Sequence, residues 1–301
     1  MERKLVEQGK KTLMVSIPIK WAKSYKLAKG DTISVSIVKD KMIISPREKA
    51  QKNAVVIRLN FLSESAIRTV ITNAYRCGYD QIKVEMKNEK QKEIVDEIVR
   101  KRLFGFDITG SEVKSCVIEN IANVEEGNFY AMVDKMFLCI KSLLSEVLKE
   151  KGTKNIEERE ERIMIYDNIC KRMIKKKGVT TEKSELYWVF LTLLLHAQRE
   201  IYFLIKESKK KEFSKEVKSL IRASQEMFLL IEKAYREKEK ELLEEMHLKE
   251  KEWVLKKGYK LLEKASGRES IMMYRALASI RLFYQANSPL MGILMLQEEH
   301  L

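Results

Sequence analysis

The sequence predicts a multidomain α+β protein with a small β-rich N-terminal domain, an α/β module and an all-α C-terminal region. Its 301 residues suggest about two domains at roughly 150 residues each. Only 11 glycines and 3 prolines are present, which favours long helices over many tight turns. Period-two alternation occurs near the N-terminus and helical periodicity fills the C-terminal half. The predicted domains are residues 1–47, 53–121 and 127–301, the last as two three-helix bundles over about 127–209 and 212–301.

The N-terminal domain is predicted to contain three short strands. Apolar and polar residues alternate over 12–17 and 32–38, which gives each strand one apolar face, and a third strand is predicted over 41–45. A short helix is predicted over 19–27, and Gly30-Asp31 turns the chain into the second strand. Fewer than fifty residues of this composition do not readily form a stable core alone. We therefore expect a homodimer.

The middle module alternates strands and helices, which is typical of a small α/β fold. The helices are expected from the cap region at Ser63 to Gly78, and over 89–104 before Gly105. The predicted strands are 54–60, 80–86, 106–110 and 113–120.

The C-terminal region shows apolar residues at helical spacing, with breaks that divide it into about six helices. One set of predicted core residues is Phe129, Val133, Met136 or Phe137, Ile140, Leu144 and Val147. A second set is Leu186, Val189 or Phe190, Leu193, Ala197, Ile201, and Leu204 or Ile205.

The net charge of +14 is concentrated at the N-terminus. Residues 1–47 carry eleven basic and four acidic side chains, a net charge of +7, in less than a sixth of the chain. The other basic and acidic residues are mixed, as on solvated helix faces. A localised excess of positive charge indicates a polyanionic partner.

Several classes of protein lack support in the sequence. The four cysteines form no CxxC pair and are expected to be reduced, buried thiols. No GxGxxG, P-loop or HExxH motif is present, so we expect a protein that is not an enzyme. Residues 1–4 lack the apolar core of a signal peptide, and no stretch approaches 18 uncharged apolar residues. We expect a cytoplasmic protein without membrane insertion.

Residues 3–38 combine a basic start, a glycine, a strand ending in Ser-Ile-Pro, a short helix and Lys-Gly-Asp before another strand. These features are Arg3-Lys4-Leu5-Val6, Gly9, Leu13-Met14-Val15-Ser16-Ile17-Pro18, Trp21-Ala22, Leu27, Lys29-Gly30-Asp31 and Ile33-Ser34-Val35. This pattern resembles that of the AbrB/MazE/SpoVT swapped-hairpin DNA-binding domain. The resemblance implies an interlocked dimer that binds double-stranded DNA through a basic β surface.

The order of a basic hairpin domain, an α/β module and two helical bundles is similar to that of archaeal PhoU-like phosphate uptake regulators. This resemblance implies PhoU-like three-helix bundles and a role in phosphate uptake. It also implies a protein partner, such as a phosphate transporter ATPase or a sensor kinase.

The resemblance assigns DNA binding to basic residues of the first strand and the loop after it. Lysines and arginines on one face neutralise phosphates, and side chains on a β surface can enter the major groove. In the alternative interpretation, the lysines only keep a small domain soluble. The predicted DNA-binding residues are Arg3, Lys4, Lys10, Lys11 and Thr12, and Lys20 and Lys23 are expected to contact the DNA backbone.

A divalent or iron-type metal site is a weaker hypothesis, and no cofactor is predicted. PhoU-like proteins carry acidic clusters whose carboxylate oxygens hold metal ions. The positions here that fit such a cluster are Glu157, Glu161, Asp167 and Glu200. Expected second acids are replaced, since Cys170 and Lys171 follow Asp167. Ion pairs between these acids and nearby lysines are the favoured interpretation.

Isolated polar and aromatic residues of the helical region are interpreted as packing residues. His196 has no ligand-spaced neighbour and is expected to be packed or partly buried. The aromatic cluster of Tyr187, Trp188, Phe190, Tyr202 and Phe203 is expected to lie in the core or between helices.

Three functions remain open at this point. The first is a DNA-binding transcriptional regulator, with phosphate uptake as the regulated process. The second is a signalling adaptor whose hairpin domain only dimerises. The third is an antitoxin-like module, although the long folded remainder of the chain argues against it.

Overall fold

The computed structural model describes residues 3–7, 9, 12–38, 41–46, 53–122, 128–149, 155–176, 181–208 and 212–298. The chain divides into two compact units, Met1–Lys52 and Asn53–Leu301.

The N-terminal unit contains two separate antiparallel ladders and a short helix. Its elements are β1 (Val6–Glu7), β2 (Leu13–Met14), α1 (Ile19–Ser24), β3 (Ile33–Val38) and β4 (Lys41–Pro46). Strand β1 pairs with β2, and β3 pairs with β4. The alternation over 12–17 yields only the two-residue strand β2, because β1 offers two residues to pair with it. Strand β1 itself lies outside the predicted strands.

The larger unit begins with a four-stranded sheet and two helices. Its first elements are β5 (Ala54–Arg58), α2 (Glu64–Arg76), β6 (Gln81–Glu85), α3 (Glu89–Arg102), β7 (Phe106–Ser111) and β8 (Ser115–Asn120). The strand order is β5-β6-β8-β7, with β5 parallel to β6 and the other pairs antiparallel. The predicted α/β alternation therefore forms one mixed sheet.

The sheet is apolar on the side where α2 and α3 pack. Alternate residues of the central strands, such as Ile82, Val84 and Ile118, are fully buried there. Val95 of α3 belongs to the same buried cluster. Gln91, also buried, accepts a hydrogen bond from the amide of Lys87 and donates to the carbonyls of Leu59 and Phe61. Its hydrogen-bonding groups are thereby paired inside the core.

Eight helices and one π-helical segment follow in the described part of the chain. They are α4 (Phe129–Leu148), α5 (Ile156–Lys175), α6 (Thr181–Ser208), α7 (Lys215–Glu237), α8 (Leu242–Glu250), the π segment (Lys251–Gly258), α9 (Tyr259–Lys264), α10 (Gly267–Gln285) and α11 (Asn287–Glu298). Helix α8, the π segment and α9 are contiguous, so the described residues form seven continuous helical stretches where about six helices were expected.

One continuous hydrophobic core joins the helices from α4 to α11. Every apolar position predicted on α4 is buried. On α6, Phe190 is buried and Val189 is 48% exposed, while Leu186 and Leu193 are half-buried. The shared core leaves the division of this region into two bundles a prediction.

Helix α6 contains a long apolar stretch with few charged residues. Residues Glu182–Ser208 have the length and apolar composition to cross a membrane, and half of the most apolar 18-residue window is buried within the chain. Core helices of water-soluble proteins share these properties.

Candidate nucleic-acid interface

The predicted DNA-binding residues lie at two ends of the β1–β2 ladder. Val6 lies opposite Met14 and Glu7 lies opposite Leu13, so Arg3 and Lys4 extend from the open end of the hairpin. Thr12 lies at the other end, next to the connection that contains Gly9 with a φ of +72°. Lys10 and Lys11 belong to this connection and lie outside the described residues. A single chain therefore does not gather Arg3, Lys4 and Thr12 into one cluster.

Lys20 and Lys23 are exposed on α1, and the end of this helix is well defined. The amide of Leu27 donates to the carbonyl of Ala22 at 2.9 Å, and that of Lys26 donates to Lys23 at 3.1 Å. With a φ of +54° at Lys26, these bonds form a Schellman cap. The helix therefore ends at Ser24, with Tyr25 as its C-cap and Lys26 in the left-handed conformation after it.

The Lys29-Gly30-Asp31 sequence forms the tight turn that leads to β3. The amide of Asp31 donates to the carbonyl of Ala28 at 3.1 Å, and the Asp31 carboxylate accepts from the amide of Ala28 at 2.7 Å. Gly30 has a φ of +95°, the left-handed conformation that a glycine adopts without steric cost. The motif thus has a local structural reason in addition to its resemblance.

The cations of this unit are not neutralised within the described part of the chain. Six of them, Arg3, Lys4, Lys20, Lys23, Lys26 and Lys29, are exposed and have no acidic partner among the described residues. By contrast, many cations of the larger unit form ion pairs. Exposed cations without internal partners remain available to phosphate groups.

The N-terminal unit also exposes an unusual number of apolar side chains. None of its side chains whose exposure is described is buried. Twelve large apolar residues are exposed: Leu5, Val6, Leu13, Met14, Val15, Ile17, Ile19, Tyr25, Val35, Ile37, Met42 and Ile43. Ile37 reaches 75% exposure on a strand, where apolar residues normally face a core. A surface of this kind indicates a missing partner.

Sequence reasoning missed two parts of this surface. Lys26 and Lys29 lie in the same exposed segment as Lys20 and Lys23, and their spacing of three residues along the chain was the available indication. The exposure of single apolar residues had no sequence indication, because alternation predicts one apolar face without showing whether anything covers it.

The four acids proposed for a metal site are held by cations instead. Asp167 is fully buried and lies 2.8 Å from the Lys171 ammonium and 3.0 Å from the Arg76 guanidinium. Glu157 pairs with Lys206, Glu161 with Lys101 at 3.4 Å, and Glu200 with Arg275 at 2.8 Å. Within the described ranges, no group of three or more metal-type side chains comes together. Of these four acids, only Asp167 pairs with a lysine nearby in sequence, four residues further along α5.

The packing residues of the helical region fall into two classes. Tyr187 and Phe190 are buried as predicted, whereas Trp188, Tyr202 and Phe203 are half-buried beside cations such as Lys171 and Lys206.

Cys77 is exposed, so the expectation of a buried thiol is wrong there, while His196 lies at the surface and is partly desolvated. Partial desolvation and the charges of Arg199 and Lys171 lower the pKa of His196. All four cysteines are free, and burial raises the pKa of the Cys116 thiol to about 11.

Comparison with known families identifies the N-terminal unit alone. The family model described as "Antidote-toxin recognition MazE, bacterial antitoxin" matches residues 7–52. No curated protein and no solved structure matches the chain. The match covers the hairpins, α1 and the exposed cations from Lys20 to Lys29, and it associates this unit with DNA-binding or antitoxin-type regulation.

Proposed function

We propose that this protein is a DNA-binding transcriptional regulator whose N-terminal unit forms a homodimer on double-stranded DNA. The observation that carries the proposal is the combination, in one MazE-like unit, of unpaired exposed cations and an uncovered apolar surface. The apolar side chains supply a dimer interface, and the cations supply phosphate contacts.

Dimerisation also offers a way to combine Arg3 and Lys4 with Thr12 in one DNA-binding surface, although they are separated within a single chain. Two copies related by a two-fold axis present each set of residues twice. A β surface built from both chains can then reach base edges in the major groove, with Lys20 and Lys23 on the phosphates.

The process under control is proposed from the sequence. The similarity of the domain order to PhoU-like regulators supports phosphate uptake, with the helical region of a cytoplasmic protein receiving the regulatory input. The second candidate is a signalling adaptor that binds a transporter ATPase or a sensor kinase. The half-buried aromatic residues of α6 favour it as a protein-docking surface.

An electrophoretic mobility shift with the DNA upstream of the protein's own gene tests DNA binding. We expect binding that weakens steeply as salt rises, because each neutralised phosphate releases a counterion. The K20E/K23E variant should bind at least tenfold more weakly. Lys260 and Lys264 are exposed lysines of the larger unit, and K260E/K264E is a control with the same change in net charge.

If both variants lost binding equally, the change in net charge alone would explain the weaker binding. That result would contradict a DNA-binding interface localised to the N-terminal unit. Absence of any salt-dependent binding by the wild-type chain would favour the adaptor.

A further inference from the structure

Strand β5 is an open edge of the four-stranded sheet. It pairs only with β6 among the described strands, through a parallel register from Ala54–Gln81 to Arg58–Glu85. Its sequence is Ala-Val-Val-Ile-Arg, without the proline, lysine or inward-pointing charge that natural edge strands use to prevent pairing. Val56 at its centre is 54% exposed. An edge of this composition is suited to receive another strand.

The hydrogen bonds fix which backbone groups point away from the sheet. The carbonyl of Asn53 accepts from Gln81, and the amide of Leu59 donates to Glu85. Because backbone direction alternates along a strand, the odd-numbered residues face β6, and the N–H and C=O groups of Ala54, Val56 and Arg58 point outward. Within the described chain, these outward groups have no backbone partner.

We propose that β5 pairs antiparallel with β5 of a second copy, which joins two four-stranded sheets into one of eight strands. In this register Val56 lies opposite Val56 of the partner subunit, on the two-fold axis. Each Ala54 then lies opposite an Arg58 of the other copy. The outward-pointing backbone groups of all three residues in each strand therefore have a hydrogen-bonding partner. If the register of the two β5 strands shifts by two residues, one of the three outward-pointing residues in each strand has no partner. If it shifts by one residue, side chains that face the core lie opposite side chains that face solvent.

The side chains are compatible with this pairing. On the core side, Val55 lies opposite Ile57, and both are β-branched apolar residues that pack well across strands. On the open face, Arg58 lies opposite a small alanine and remains paired with Glu85 of its own chain at 2.9 Å. No two like charges face each other.

The second copy is favoured over another protein by the length of chain before β5. Seven residues, 47–53, separate the end of β4 from the start of β5. If the N-terminal units dimerise, this short connection holds the two β5 strands at a high effective concentration. In this respect the inference rests on the proposed function, while the edge strand and its register stand independently of it.

Crosslinking tests the pairing in the full-length chain. With the exposed Cys77 changed to serine, a V56C variant should be joined to a second chain by a short bifunctional thiol reagent. T109C, on the opposite edge strand β7, is the control, because Thr109 is also exposed and faces the same side of the sheet. Crosslinking of V56C at least tenfold above that of T109C is expected.

Amide hydrogen exchange supplies a second measurement that needs no variant. The amides of Ala54, Val56 and Arg58 should be protected in the dimer, whereas a free edge leaves them to exchange rapidly. Rapid exchange at these three positions in a dimeric sample, or equal crosslinking of V56C and T109C, would overturn the inference.

Failure of the inference is distinguishable from failure of the proposed function. If a dimer binds DNA in a salt-dependent way but its β5 amides exchange rapidly, only the proposed β5 pairing is contradicted. Strong V56C crosslinking without any DNA binding removes the regulator proposal and keeps the pairing.

Discussion

At the scale of single residues, partly buried ion pairs join α5 to the α/β part of the larger unit. Arg172 of α5 donates to the carbonyls of Tyr75 and Tyr79, at 2.9 and 2.8 Å, and to the carboxylate of Asp80 at 2.5 Å. Lys176 donates to the other oxygen of Asp80 at 2.6 Å. The Arg172 guanidinium also lies 4.7 Å from the centre of the Phe106 ring. Removal of one member leaves a desolvated charge without its partner.

Asp80 should make the stability of this unit depend on pH. Burial raises its pKa, but the hydrogen bonds and charges of Lys176 and Arg172 outweigh burial and hold the pKa below the ordinary 3.8. A carboxylate with a lowered pKa stabilises the fold above its unfolded pKa and loses that contribution as pH falls through the folded pKa. We expect D80N to lower the free energy of unfolding by about 2 kcal/mol at pH 7. The difference should disappear in acid.

Urea unfolding at pH 7 and at a series of pH values running well below 3.8, through the lowered pKa of Asp80, measures this effect. E97Q is the control, since Glu97 pairs with Lys101 on the solvent side of α3, and its variant should unfold like the wild type at pH 7. A D80N deficit that persists unchanged in acid would contradict the assignment to this carboxylate.

At the scale of elements, the π-helical segment ends in close contact with α10. Gly258 is its last residue, and a Cβ placed there would lie 2.2 Å from Cδ2 of Leu277 on α10. The same Cβ would lie 2.4 Å from the carbonyl oxygen of Trp253 within the segment. A side chain larger than that of glycine therefore has no room at this position.

G258A should destabilise the larger unit even though alanine is the better helix former. The helical preference for alanine is about 1 kcal/mol. The added methyl group meets a backbone carbonyl that has no room to move, and overpacking of this kind costs about 1–3 kcal/mol. We expect a lower midpoint of thermal unfolding.

G292A provides the comparison. Its nearest neighbour is the end of the Leu186 side chain at 2.9 Å, which can change rotamer. Its effect should be smaller, and an equal or larger effect would show that side-chain crowding rather than the Trp253 carbonyl limits this packing.

At the scale of the whole molecule, the two units differ in how their apolar residues are covered. The larger unit buries its apolar residues in two internal clusters, one around the sheet and one among the helices. In the N-terminal unit, no side chain of described exposure is buried. The larger unit has the contacts for independent stability, whereas for the N-terminal unit we propose that association covers its apolar side chains.

This difference predicts an exchange experiment on the intact chain. Amides of β3 and β4 should exchange more slowly as protein concentration rises, because the proposed dimer would bury their side chains. Amides of α4 and α6 should show the same protection at every concentration. Concentration-independent protection of β3 and β4 would mean that a single chain already stabilises these strands.

The sequence determined most local features of this protein. Alternation and helical periodicity located β5 to β8, α2 to α4 and the buried positions of α4, because these patterns follow from backbone geometry alone. Lys29-Gly30-Asp31 determined a turn, and the charge count located the cationic segment. The sequence motif alone also predicted that the N-terminal unit resembles a MazE-like domain.

The tertiary structure decided which groups meet. Asp167, Glu157, Glu161 and Glu200 were plausible metal ligands in sequence, but three of their cationic partners, Lys206, Lys101 and Arg275, are remote in sequence. The open edge at β5 likewise follows from strand order, which no local pattern encodes. Contacts between residues far apart in sequence depend on how whole elements pack, and that packing decides whether a charge or a strand edge is satisfied within the chain or left for a partner.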